Sequence, residues 1–232
     1  MSYSEKDFET FQKNELKPED TFHFECKMCG RCCRNREEPI LITGADIYRI
    51  AKALGTTMMD VVTNKTVGYI GGTSHIPVLV LKERLDGSCS LLRNGRCMVH
   101  RDKPAVCALF PLGRFGDLSD NSFHYFVNPG SCQTGKSDGK VWTLQEWLDE
   151  FNICESEKLT AAWNRLIGGV TMVTFKMKKE KINGRLLDAL LGTLYLDYDT
   201  SIPYIEQVES HMGRLKVFFK KELNKSINFD VF

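Results

Sequence analysis

The feature that most constrains this chain is a run of four cysteines within eight residues near its N-terminus. The run reads Cys26-Lys27-Met28-Cys29-Gly30-Arg31-Cys32-Cys33, and isolated cysteines follow at positions 89, 97, 107 and 132. Thiols at two-residue spacing can converge on a metal ion or an iron–sulfur cluster, and a glycine after the second one permits the tight turn that such a loop needs. The sequence therefore predicts a metal site built from thiols.

The spacing alone leaves the metal open. Bacterial ferredoxins share the C-x2-C-x2-C run, although the fourth element of their signature is missing here, and C-x2-C also begins many zinc sites. The candidate ligands are Cys26, Cys29, Cys32, Cys33, Cys89, Cys97, Cys107 and Cys132. Eight thiols suffice for two four-thiolate sites, or for one cluster with spare thiols. Neither arrangement chooses between zinc and an iron–sulfur cluster.

Four side chains near the cysteine motifs or on the helices have an alternative interpretation as ligands or as plain structure. Side chains of neighbouring residues diverge in regular structure, so Cys32 and Cys33 are expected to serve different sites. Cys154 follows Ile153 on a predicted helix and is expected to be a small buried hydrophobe. The spacing of His100 from Cys97 is compatible with ligation, but thiols are already plentiful, so we expect a half-buried histidine at the end of a hairpin.

Charge and composition limit the classes of function. The chain has 31 Lys and Arg against 30 Asp and Glu, which gives a net charge of +1 and no support for binding nucleic acid. Nine cysteines is an odd number, and C-x2-C spacing favours reduced thiols over a disulfide framework. The sequence shows no secretory signal and no apolar run of about 18 to 20 residues, so we expect a cytoplasmic protein without a membrane span.

Hydrophobic periodicity predicts an α+β fold in two parts. A small cysteine-rich metal-binding domain with short strands and hairpins spans residues 1–140, and a helical region packed on it spans residues 141–232. In the first part, Thr43 is expected to cap a helix that Gly55 ends, and residues 76–81 are expected to form a strand.

Three finer expectations concern local structure. Asn94-Gly95 is typical of a two-residue hairpin turn, which would place Cys89 opposite Cys97 as two ligands of one site. Leu16 is expected to lie on a short helix that ends before Pro18. In the helical region, Ser156 or Thr160 is expected to cap a long helix.

The order of the cysteine motifs resembles the YkgJ-like CxxCxxCC cysteine-cluster family, described as a zinc- or iron-chelating domain. The resemblance covers roughly residues 22–136. It rests on Cys26-x-x-Cys29-Gly30-x-Cys32-Cys33, Leu41-x-Thr43-x-x-Asp46-Ile47, Cys89-x-Leu91, Gly95-x-Cys97, Pro104-x-x-Cys107, Phe110-Pro111 and Ser131-Cys132. Where such families often have Arg-Pro, this chain has Lys103-Pro104, which keeps the charge but loses the planar fork of the guanidinium.

The motif order is also distantly similar to that of the flagellin lysine methylases, whose Cys-x-x-Tyr-Pro segment corresponds to Cys107-Ala108-Leu109-Phe110-Pro111 here. This similarity implies an iron–sulfur cluster, so we favour a [4Fe-4S] cluster, with zinc as the alternative. It also implies an enzyme that modifies a protein or peptide substrate, in one version by methyl transfer from S-adenosylmethionine to lysine. The sequence has no glycine-rich Rossmann fingerprint, and no catalytic residue is assigned. The alternatives are a non-catalytic zinc module that binds a partner and a protein for metal storage or delivery.

Overall fold

A computed structural model describes residues 13–27, 29–34, 36, 38–117, 122–128 and 139–230. The strands are β1 (Glu15–Leu16), β2 (Thr21–His23), β3 (Leu41–Ile42), β4 (Thr66–Ile70), β5 (Pro77–Leu81), β6 (Leu92–Arg93), β7 (Arg96–Cys97), β8 (Leu112–Asp117), β9 (Ser122–Val127) and β10 (Val141–Thr143). The α-helices are α1 (Gly44–Leu54), α2 (Met58–Lys65), α3 (Ala105–Leu109), α4 (Leu144–Glu150), α5 (Ile153–Thr174), α6 (Gly184–Leu191) and α7 (Tyr204–Leu223). The predicted α+β class, with short strands followed by a helical region, is confirmed.

The strands form small antiparallel sheets. One sheet has the order β3-β5-β4, a second has the order β1-β9-β8, and β10-β2 and β6-β7 are two-stranded ribbons. Strand β5 covers the predicted strand at 76–81. The helix expected at Leu16 is wrong, because Leu16 lies in β1 and pairs with Tyr125 of β9. A partner more than a hundred residues away satisfies this short backbone segment, and local periodicity cannot reveal such a partner.

The helix boundaries follow from local capping. Thr43 caps α1 in a reciprocal capping box with Asp46, and Gly55 ends the helix in the left-handed region with φ 61°, as predicted. The expected cap of the long helix is wrong, because α5 starts after Asn152. Ser156 and Thr160 lie inside α5, where each hydroxyl donates to a backbone carbonyl three or four residues earlier.

Among the described residues, the buried apolar side chains form two hydrophobic cores. The first joins α1, α2 and β5 to α5, α6, α7 and the π-helical turn Gly192–Leu196. At this contact a Cβ on Gly44 would collide with the carbonyl of Leu194 and the ring of Trp163, so only glycine lets α1 approach so closely. The second core joins Phe22 and Phe24 to α3 and α4. Both cores draw on residues before and after position 140, and the boundary at 140 stays a prediction.

In the described part of the chain, every helix is too short or too polar to span a membrane.

Candidate metal centre

The candidate thiols gather in one cleft with a volume of about 280 Å³. Seven of the eight predicted ligands lie in the described part of the chain, and all seven line this cleft: Cys26, Cys29, Cys32, Cys33, Cys89, Cys97 and Cys107. The eighth, Cys132, lies outside the described residues. The fold thus brings together thiols from the N-terminal run, from the segment around the β6–β7 hairpin and from α3, which we call the thiol cleft.

The N-terminal run reaches the cleft through a tight turn. Gly30 adopts the left-handed region with φ 73°, and the next three residues form a 3₁₀ turn that ends at Cys33. The Sγ atoms of Cys32 and Cys33 lie 3.7 Å apart. The expectation that these two thiols diverge is wrong, because it holds for strands and long helices. In a single turn, two short side chains can rotate toward the same cleft.

Cys89 and Cys97 lie differently from the prediction, and only Cys97 belongs to the β6–β7 hairpin. The β6–β7 ladder pairs Cys97 with Leu92, because the two-residue turn Asn94-Gly95 fixes the register of the ladder. The expectation that Cys97 faces Cys89 is therefore wrong. Cys89 reaches the cleft by another route, since its backbone N–H donates to the carbonyl of Cys33 at 2.8 Å.

A buried carboxylate holds the short helix that carries Cys107. One oxygen of Asp46 completes the capping box of α1, and the other accepts a hydrogen bond of 2.9 Å from the backbone N–H of Ala105 at the start of α3. At the other end of α3, Trp147 of α4 donates its ring N–H to the carbonyl of Leu109 at 3.2 Å. The Thr43-x-x-Asp46 motif, which is part of the family resemblance, therefore positions the helix that carries Cys107.

Hydrogen bonding and burial shift the pKa values of the cleft thiols in opposite directions. The Cys33 thiol donates to Cys32 and lowers the pKa of Cys32 to about 6, and the nearby charges of Lys103 and Arg36 act in the same direction. The same hydrogen bond raises the pKa of Cys33. Burial raises the pKa of Cys107 to about 12. Cys107 is therefore protonated at neutral pH in the metal-free protein, and ligation by its thiolate must release a proton.

Lys103 and Arg36 are two of the cationic residues that line the cleft. Lys103 lies with its ammonium 4.0 Å from the ring of Phe151, and burial lowers its pKa while the neighbouring thiolates oppose that shift. The side chain of Arg36 is only 9% exposed. Sequence reasoning missed Arg36, because an arginine next to a cysteine run looks like an ordinary solvated charge. Only its burial distinguishes it.

The structure tests the predicted burial of His100 and Cys154. His100 is half-buried as expected, and it also lines the cleft, with its ring 6.0 Å from that of Phe151. The expectation that Cys154 is buried is wrong, because its side chain is exposed. Cys154 follows the fully buried Ile153 in the first turn of α5, and successive helical residues point about 100° apart.

The thiols line the cleft without closing on one point. Within the described residues, no group of three or more Cys, His, Asp or Glu side chains is arranged to hold a metal ion. The donor set itself still fits a metal, because clustered thiols are the ligands that zinc and iron–sulfur clusters take. A cleft lined by seven thiols is the kind of site that cysteine-rich, metal-chelating proteins use.

The comparison with known families gives one match. Residues 25–133, just under half of the chain, match the family model described as "CxxCxxCC: Putative zinc- or iron-chelating domain". The predicted resemblance to the CxxCxxCC family is confirmed. No curated protein and no solved structure gave a significant match. The matched segment contains all eight candidate ligands and ends before α4.

Proposed function

We propose that the thiol cleft binds an iron–sulfur cluster, with the [4Fe-4S] form favoured. The observation that carries this proposal is the convergence of seven thiols on one cleft of about 280 Å³. A single zinc ion would need four sulfurs at about 2.3 Å from one point. A cluster spreads its thiolates over several iron atoms, so it suits thiols that share a cleft without closing on one point.

The residues of the cleft suggest how an iron–sulfur cluster would be held and what would surround it. The cysteines of the cleft, together with Cys132, would supply the thiolates, and a bound cluster would supply redox or Lewis-acid chemistry. The charges of Arg36 and Lys103 would offset the negative charge of the thiolates. The apolar side chains of Leu81, Leu91 and Leu92 line the same cleft and would limit the access of water, which tunes the reduction potential of a cluster.

Metal analysis tests the proposal directly. The protein is prepared anaerobically, and iron, acid-labile sulfide, zinc and visible absorption are measured on the same sample. We expect a brown protein with about equal iron and sulfide. Cys33→Ala, Cys107→Ala and Cys132→Ala should lower the iron content, whereas Cys154→Ala should not, because Cys154 is exposed outside the cleft. A colourless protein with stoichiometric zinc alone would overturn the iron–sulfur proposal.

A zinc module is the second candidate, and one distance favours it. The 3.7 Å between the Sγ atoms of Cys32 and Cys33 is close to the edge of about 3.8 Å that four sulfurs around zinc would have. In that case the metal would organise the short turns of the cleft for binding a partner. The same measurement separates the two candidates, since zinc without iron or sulfide supports the module.

Metal storage or delivery is a third candidate, and the exposure of Cys26, Cys29 and Cys32 favours it. Exposed ligands exchange their metal readily, so storage predicts that a mild chelator removes the metal within minutes. A metal that stays bound against the chelator would contradict this candidate.

An enzymatic role is a separate and finer proposal, supported by the similarity to the flagellin lysine methylases. In this version the cluster belongs to an enzyme, or an enzyme component, that modifies a protein or peptide substrate in the reducing environment of the cytoplasm. Methyl transfer to lysine is its specific form. Equilibrium dialysis of labelled S-adenosylmethionine against the metal-loaded protein tests that form, and an absence of binding would remove it.

A further inference from the structure

The cleft is lined by Arg36, and two nitrogens of its side chain make no hydrogen bond in the described part of the chain. Nε and Nη2 of Arg36 are buried and have no hydrogen-bond partner among the residues that the structure describes. Nη2 lies 3.2 Å from a carboxylate oxygen of Glu83, but this pair lacks hydrogen-bond geometry. Buried donors without partners are costly, so a buried guanidinium in this state indicates a missing ligand.

The two open donors form one edge of the guanidinium. Nε–H and one Nη2–H point in parallel, and this pair matches the two oxygens of a carboxylate or a phosphate. Arg36 and Lys103 both line the cleft, so a buried guanidinium and a half-buried ammonium border the same space. Glu25 is the acidic residue among the described lining, and it is paired with Lys27. The charge inside the cleft therefore favours an anion.

The walls of the cleft indicate the rest of the ligand. Ile40, Leu81, Leu91 and Leu92 line it beside the thiols, and such walls suit a carbon body. Glu83 partly offsets Arg36, and thiolates bound to a metal would add negative charge. A single negative charge is therefore easier to accommodate than the double charge of a phosphate.

We propose that the thiol cleft binds an organic carboxylate beside its metal, with Arg36 as the bidentate fork and Lys103 as a second positive charge. This proposal deepens the proposed function and rests on it for the neighbouring metal. Through this carboxylate, Arg36 would orient a small molecule or a chain end next to the thiolates.

Calorimetry on the metal-loaded full chain, kept anaerobic, tests the proposal with three probes. The probes are hexanoate, its neutral amide hexanamide, and inorganic phosphate. We expect hexanoate to bind at least about tenfold more tightly than either of the others, because only hexanoate joins a single negative charge to an apolar body. Equal binding of hexanoate and hexanamide, or no binding of hexanoate, overturns the proposal. Tighter binding of phosphate overturns the carboxylate class.

Variants assign the binding to Arg36. Arg36→Gln should lower the affinity for hexanoate at least about tenfold. Arg36→Lys should lower this affinity too, because lysine keeps the charge without the fork. Arg34→Gln is the matched control, since Arg34 lies on the same segment but is more exposed and pairs with Asp86. If Arg34→Gln weakens hexanoate as much as Arg36→Gln does, the assignment is wrong.

Metal content is measured on every sample and keeps the two proposals apart. Wild-type protein that holds metal but ignores hexanoate contradicts the carboxylate site alone. Wild-type protein without metal contradicts the proposed function, and hexanoate binding to that protein still decides the anion site. If Arg36→Gln loses its metal while wild-type protein ignores hexanoate, Arg36 donates to metal-bound thiolates and the carboxylate proposal is wrong.

Discussion

The thiol cleft and the helical core are held together in opposite ways. In the helical core, long apolar side chains such as Leu166, Leu190 and Phe219 are fully buried on three different helices. In the cleft, Cys26, Cys29 and Cys32 are exposed and lie on a loop and a three-residue turn. Full burial of one large apolar side chain contributes about 1.5–3 kcal/mol to folding, whereas an exposed thiol contributes little. We therefore expect the core to be stable without metal, and the loop and turn that carry Cys26, Cys29 and Cys32 to depend on a bound metal.

The largest expected effect is the loss of core packing. Phe219→Ala should lower the free energy of unfolding by about 3–5 kcal/mol, because Phe219 is fully buried on α7. Urea denaturation followed by circular dichroism measures this change. Below the unfolding transition, the variant should still bind its full complement of metal. A metal content that falls in parallel with stability would show that the two regions are not independent.

The next effect should appear where the two regions are joined. Asp46→Ala should lower the free energy of unfolding by about 2 kcal/mol, because it removes the capping box of α1 and leaves the N–H of Ala105 without its partner. Metal content should also fall, since Ala105 begins the helix that carries Cys107. Denaturation and metal analysis of the same samples measure both.

Asp60→Ala is the matched control for this link. Asp60 forms the same capping box at the start of α2 with Thr57, but it has no bond to α3. It should shift the urea midpoint less and leave the metal content unchanged. An equal loss of metal in both variants would contradict the role given to Asp46.

Removal of the metal should separate the regions without a mutation. In the metal-free protein, hydrogen exchange at the amides of residues 29–34 and 92–97 should accelerate at least about tenfold, because a bound metal stabilises only the structure that it contacts. The amides in the middle of α5 and α7 should keep their protection. Mass spectrometry of the exchanged peptides checks both regions. Uniform acceleration throughout the chain would contradict the comparison.

The smallest effect concerns reactivity rather than stability. In the metal-free protein the pKa of Cys32 is lowered to about 6, so its thiolate predominates above pH 6 and iodoacetamide should modify it at pH 7. Cys107, with its pKa raised to about 12, should stay unmodified at that pH. Peptide mass spectrometry across a pH series measures, for each thiol, the half-point, which is the pH at which its rate of modification is half maximal.

Cys33→Ala tests the cause of that reactivity. The variant lacks the thiol that donates to Cys32, so the half-point for Cys32 should move upward toward the ordinary cysteine range. If the half-point stays near pH 6, the hydrogen bond is not what lowers the pKa.

The expectations that held depend on short stretches of chain. Thr43 with Asp46, and Gly55 at the end of α1, are capping signals read within a few residues, and the structure has them as predicted. The expectations that failed needed a distant partner or an orientation. Leu16 pairs with a strand more than a hundred residues away, and the outward direction of Cys154 depends on where α5 begins.

The sequence by itself indicated metal-binding chemistry, because four cysteines within eight residues, followed by four isolated ones, have few uses other than binding metal. It also predicted the cap of α1 at Thr43 and the end of that helix at Gly55. Only the tertiary structure decided that seven of these thiols share one cleft, that Asp46 holds the helix of Cys107, and that Arg36 is buried with an open donor edge. The physical reason is that distance and burial depend on long-range packing, whereas residue type and spacing along the chain do not.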